Sequence, residues 1–70
     1  MKYAIVIEKG QKSFGAYVPD LPGCIAVGET RDEVVQLIQE AIKLHLQGLQ
    51  EQGECIPLPI STVEIVSIAA

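Results

Sequence analysis

At 70 residues and a net charge of −4, this chain is too short to hide all of its apolar content, since a domain this small buries only about 60% of the surface it exposes when unfolded. Its five basic residues, Lys2, Lys9, Lys12, Arg31 and Lys43, are scattered, which argues against a nucleic-acid groove that must displace counterions. Cys24, Cys55 and the lone His45 make neither a disulfide framework nor a zinc site, so no cofactor or metal is expected. No basic region followed by a long apolar core opens the chain, and the uncharged run from Cys55 to Val63 contains two prolines and is too short for a bilayer. The expectation is one cytoplasmic domain over residues 1–70. With 49% hydrophobic residues, part of its apolar surface is expected to be covered by another subunit.

Lys2 to Glu8 alternates with apolar residues on both faces, Tyr3, Ile5 and Ile7 on one and Ala4 and Val6 on the other, and predicts a first strand. The polar Lys9-Gly10-Gln11-Lys12 connection leads to a second strand, Ser13 to Val18, with Phe14, Ala16 and Val18 on one face and Gly15 and Tyr17 on the other. Pro19 ends it by removing a backbone donor and keeping Val18 extended. Pro22-Gly23 then predicts a type II turn, because proline supplies the first φ and glycine tolerates a positive second one. Cys24 to Gly28 is a short third strand. Thr30 and Glu33 spell a capping box, with Thr30 accepting from the Glu33 N–H and Glu33 reaching back to the Thr30 N–H. The helix is expected from Thr30 to about Gln52, with Gly53 as its left-handed terminator. Pro57-Leu58-Pro59 prevents further helix, and Ser61 to Ile68 alternates as a fourth strand.

The expected fold is α+β: a single β-β-β-α-β domain, a three-stranded antiparallel meander with a crossover helix. The fourth strand would lie parallel to strand one, in sheet order 3-2-1-4. Two mismatches point outward. The apolar arc of the helix spans about 200°, against the roughly 100° stripe that one sheet face needs. The helix, at ~1.5 Å per residue, also outruns a seven-residue strand of ~23 Å. Surplus apolar surface on the helix end and on the far sheet face is therefore expected to build a dimer or tetramer, with Tyr3, Tyr17, Leu46 and Leu49 as contacts.

Catalytic chemistry is not spelled. His45 lies within the apolar arc with no nucleophile or carboxylate nominated beside it, and reads as a partly buried packing residue. Cys24 has no neighbour that would lower its pKa and reads as a small strand residue. A two-metal nuclease of the ribonuclease H kind would place a carboxylate at the centre of strand one, where Ile5 and Val6 stand instead. Gly23 and Gly28 are not followed by the Lys-Ser/Thr pair of a P-loop.

One constellation is specific. Phe14-Gly15-Ala16-Tyr17-Val18-Pro19-Asp20-Leu21-Pro22-Gly23-Cys24 is followed by Gly28-Glu29-Thr30. Glu40-Ala41 lies in the helix, and Gly53 precedes Ile56-Pro57-Leu58-Pro59. From Tyr3 through Ile60 the chain resembles the N-terminal domain of the HicB-type antitoxins. The resemblance implies a partial ribonuclease-H-like fold without the metal site, self-association, and an antitoxin role in a type II toxin–antitoxin system. In that role the domain binds and occludes a small basic HicA-type mRNA-cleaving ribonuclease. Full-length relatives add a C-terminal DNA-binding module. This sequence ends at Ala70, so operator binding by the chain alone is not expected. The expected toxin-binding elements are the loop Pro19, Asp20, Leu21, Pro22 and Gly23 and an exposed strand edge, which can pair with another chain. For Asp20, a turn carboxylate bonding its own backbone is the simpler expectation. The alternative function is a stand-alone homo-oligomeric scaffold without a toxin.

Overall fold

The computed structural model describes all 70 residues. Three short strands, β1 (Val6–Lys9), β2 (Phe14–Tyr17) and β3 (Ile25–Gly28), precede one helix, α1 (Arg31–Glu51). The strands form an antiparallel meander in the order β1-β2-β3. Each strand lies inside or beside its expected position, trimmed at the ends; Lys2 to Ile5 approach β1 without joining its ladder.

The register separates the two faces. Ile7, Ala16 and Ala26 lie in one cross-strand row, and Lys9, Phe14 and Gly28 in the next row on the same face. This is the face on which α1 packs, chiefly against β3 and β2. Val6, Tyr17 and Ile25 form a row on the opposite face, with Glu8, Gly15 and Val27 beside them. The core is small: Ala16, Val18, Leu21, Cys24, Val34 and Ile38, flanked by half-buried residues such as Ile5, Ile7, Phe14 and Ile42. Gly28 lets α1 close on β3. A Cβ there would stand 3.0 Å from the Val34 amide nitrogen and 3.2 Å from its Cα, so the helix backbone would have to give by a few tenths of an ångström.

Both helix ends are built by local chemistry. The Thr30 side chain accepts from the Glu33 N–H at 3.1 Å, satisfying one of the unpaired donors of the first turn. The return arm differs from expectation: the Glu33 carboxylate accepts from the Glu29 N–H at 3.4 Å, one residue earlier than the Thr30 amide. At the other end Gly53 has φ 71°. Its N–H donates to the Gln50 carbonyl and that of Glu54 to the Leu49 carbonyl, which is a Schellman motif. The helix, about 32 Å long at 1.5 Å per residue, far outruns strands of four residues, about 13 Å. Its second half overhangs the sheet, and Leu44 on that half is 68% exposed.

The expected fourth strand is not formed. Ser61 to Ile68 pairs with no strand, and the sheet stops at β1. All eight backbone hydrogen bonds outside the helix and ladders fall between Gly10 and Glu54, so the C-terminal residues contribute none. The physical reason is where this segment is tied. Side-chain hydrogen bonds hold Pro57 to Tyr3 and Ser61 to Asp20. Beyond Ser61 the chain makes no ladder with β1; Val63 and Ile65 line an open groove together with β1 residues, and every residue from Thr62 to Ala70 is exposed.

Candidate interaction surfaces

The loop between β2 and β3 is two consecutive turns. The Leu21 N–H donates to the Val18 carbonyl at 3.1 Å and the Cys24 N–H to the Leu21 carbonyl at 3.1 Å, while the Val18 N–H closes the base onto the Cys24 carbonyl at 3.2 Å. Pro19 and Pro22 each take the first central position of a turn, where a fixed φ near −65° fits. Gly23 has φ 84°, the value that a type II turn requires at its second central position, as the sequence predicted.

This geometry sorts the five residues expected to bind a toxin. Leu21 points into the protein and is 0% exposed; it plugs the core between sheet and helix. Pro19, Pro22 and Gly23 are exposed. Asp20 does not bond its own turn, contrary to the simpler expectation. Its carboxylate accepts from the Ser61 N–H at 2.9 Å and the Ser61 hydroxyl at 2.8 Å. These two bonds, with the backbone bond the larger influence, hold the Asp20 carboxyl below its ordinary value, because both are made to the charged form. Sequence reasoning missed Ser61 as a partner, since 41 positions separate it from Asp20 and no local pattern connects them.

The four residues expected at a subunit contact fall on three places. Tyr3 and Leu46 are brought together along a groove of about 320 Å³, which Ile42 and Met1 also line, between the N-terminal segment and the overhanging helix. Tyr17 lies on the open sheet face beside Ile25, which is 67% exposed. Leu49 is half-buried near the helix end. A larger groove, about 730 Å³, runs along the β1 edge. Ile5, Ile7, Phe14 and Val35 make its apolar side, Lys9 and Arg31 its charged members, and Val63 and Ile65 its far wall.

Cys24 is buried and reduced, and burial pushes its thiol above the ordinary value, which disfavours the nucleophilic thiolate. His45 is half-buried on α1. No group of three or more His, Cys, Asp or Glu is placed to hold a metal ion, and no helix is long and apolar enough to cross a membrane.

Comparison with known proteins places this arrangement. A protein of Archaeoglobus fulgidus named UPF0150 is 39% identical over 67 residues, covering 91% of this chain and 97% of its own. A UPF0150 protein of Thermoplasma acidophilum is 38% identical over 58 residues, 81% of this chain and 84% of the relative. A 14.9 kDa protein of Haemophilus phage HP1 is 40% identical over 57 residues, and there the match spans less than half, 43%, of the relative's length. Among solved structures, the N-terminal domain of Burkholderia pseudomallei antitoxin HicB superimposes with a TM-score of 0.80 at 36% identity, over 89% of this chain and 74% of that one. The HicA3 and HicB3 toxin–antitoxin complex matches with a TM-score of 0.73 at 32% identity, over 86% of this chain and 70% of that one. The family model described as the HicB-like antitoxin of bacterial toxin–antitoxin systems matches residues 3–69. With a meander and helix that superimpose on an antitoxin domain and a family match spanning nearly its whole length, this chain belongs to the HicB-like antitoxin family, a non-enzymatic class.

Proposed function

We propose that this chain binds a small basic ribonuclease of the HicA type and covers the surface on which RNA would lie. The observation that carries the reading is the likeness to a HicA3 and HicB3 complex at 32% identity, alongside the family match over residues 3–69. Charge supports it. A net −4 chain and a basic ribonuclease attract at long range, which raises the association rate and favours the surface that RNA itself uses. On the β2–β3 loop the contact falls to Pro19, Pro22 and Gly23, since Leu21 is in the core and Asp20 is engaged with Ser61. The test is RNA cleavage by a purified HicA-type toxin titrated with this chain. Inhibition that saturates at one chain per toxin and weakens with added salt is expected. Full cleavage at saturating chain would refute the reading.

A second reading, a homo-oligomeric interaction module with no toxin, is favoured by one specific observation. Ile25 and Val27 on the open sheet face, and Ile65 and Ile68 in the C-terminal segment, are large apolar side chains left exposed. Co-purification of the tagged chain from its native cell separates the two: a stoichiometric basic ribonuclease supports the antitoxin, and self-association alone supports the module.

A further inference from the structure

We propose that the groove beside β1 binds a free medium-chain fatty acid, with the alkyl chain along Ile5 and Ile7 and the carboxylate between Lys9 and Arg31. The proposal goes beyond the toxin-binding reading and does not rest on it.

The fold gives the two ends of this groove different chemistry. Side chains two apart share a face of an extended chain, so Ile5, Ile7 and Lys9 line up, apolar first and cationic last. The intervening Glu8 belongs to the row with Gly15 and Val27 on the other face. Lys9 pairs with Phe14, and Phe14 with Gly28, which lies against Val34 near the start of α1. Arg31, the first residue of α1, is therefore at the same end of the groove as Lys9. Val35 follows one helical turn later and lines the groove with it. Val63 and Ile65 complete the far wall, and Glu64 between them is not among the lining residues, as alternation of an extended segment requires.

Charge selects the ligand. The chain carries a net −4, yet no carboxylate lines this groove and both of its charged members are cations. Lys9 and Arg31 are exposed, and neither takes part in any side-chain hydrogen bond of the chain. Their donors are thus available to a ligand. A cleft with apolar walls and one sign of charge concentrates its field on a counter-ion. A guanidinium offers a carboxylate two parallel N–H groups, and a lysine adds a point charge. A cationic amphiphile would gain the apolar contacts and meet repulsion at the head.

Size sets the chain length. A groove of about 730 Å³ falls within the range of small-molecule sites, which are mostly apolar with a few polar groups that fix orientation. Four residue steps from Ile5 to Lys9 cover about 13 Å. An extended chain advances about 1.2 Å per bond, so about ten to twelve carbons reach from the apolar end to the two cations.

The test titrates the full, isotope-labelled chain with dodecanoate below its critical micelle concentration and follows the amide resonances. Saturable shifts at one ligand per chain are expected at Ile5, Ile7, Phe14 and Val35, with the exposed sheet face around Ile25 unmoved. From octanoate to decanoate to dodecanoate, each added methylene should tighten binding between about twofold and fourfold, for half to full burial. Lys9→Gln with Arg31→Gln should weaken binding about tenfold, the loss of a charge-assisted contact, and keep the dependence on chain length. Val63→Asp with Ile65→Asp, which alters only exposed side chains, should abolish binding with the helical far-UV dichroism kept. Absence of saturable binding, equal affinity for dodecylammonium, or an affinity unchanged by the loss of both cations would each overturn the proposal. So would a chain that co-sediments with phosphatidylglycerol vesicles and ignores the free acid, which would assign the groove to a membrane surface. Every readout is binding by this chain alone, so failure here leaves toxin inhibition untouched.

Discussion

The body from Val6 to Glu54 and the segment from Cys55 to Ala70 come from one continuous chain, yet they are stabilised in different ways. The body carries every backbone hydrogen bond and the whole buried core. The segment is fastened by side chains at Pro57 and Ser61 and then offers its apolar residues to solvent. Hydrophobic content does not explain the contrast, since Val63, Ile65, Val66 and Ile68 are as apolar as the residues of the core. What separates the regions is whether a partner surface lies within reach in the same chain. β2 and α1 give the body such surfaces, whereas the segment meets only a groove.

The largest way to break this contrast is through Leu21, the loop residue that belongs wholly to the body. Leu21→Ala removes a fully buried side chain and should cost about 2–5 kcal/mol, read as a lowered urea midpoint at fixed protein concentration. A change below about 1 kcal/mol would mean that the loop is not part of the core. Gly28→Ala comes next. Its Cβ must displace the Val34 backbone, and overpacking of this kind costs about 1–3 kcal/mol; wild-type stability would show that α1 can retreat from β3 freely.

The smallest effect on global stability, and the sharpest on the segment, is expected at Asp20. Asp20→Ala removes both bonds to Ser61. The Ser61 amide should then exchange with solvent freely, while the amides of β2 stay protected. The sign of the pH dependence follows from the direction of the shift. A carboxyl whose folded value lies below its ordinary 3.8 contributes its full stabilisation above that value, and the contribution is lost as pH falls through the folded value. The Ser61 amide resonance should therefore titrate with a midpoint below 3.8. A midpoint at or above it would show that the two bonds do not favour the ionised form.

Much of the fold was legible because its determinants are local. Pro22-Gly23, Thr30 with Glu33, and Gly53 act through φ values and hydrogen bonds spanning three or four residues, so their positions can be read in order along the chain. Two-residue alternation placed the strands, although the ladders are shorter than the apolar runs. Leu21 was not legible as core, since a single apolar residue between two prolines belongs to no period. Nor was the Asp20–Ser61 link, which joins positions that only the folded meander brings together. The surplus of apolar surface was legible from the width of the helix arc, and the exposed Leu44 is consistent with it.

By itself, the sequence determined the order of the three strands and the helix, the type II turn at Pro22-Gly23, both helix termini and the family resemblance, because each rests on short-range backbone preferences or on residue identity. Only the tertiary structure decided that Leu21 fills the core, that Asp20 ties down the C-terminal segment, and that this segment adds no strand to β1. Alternation tells a chain to be extended, but a strand exists only where a neighbouring backbone supplies its hydrogen bonds, and that is a property of position in space.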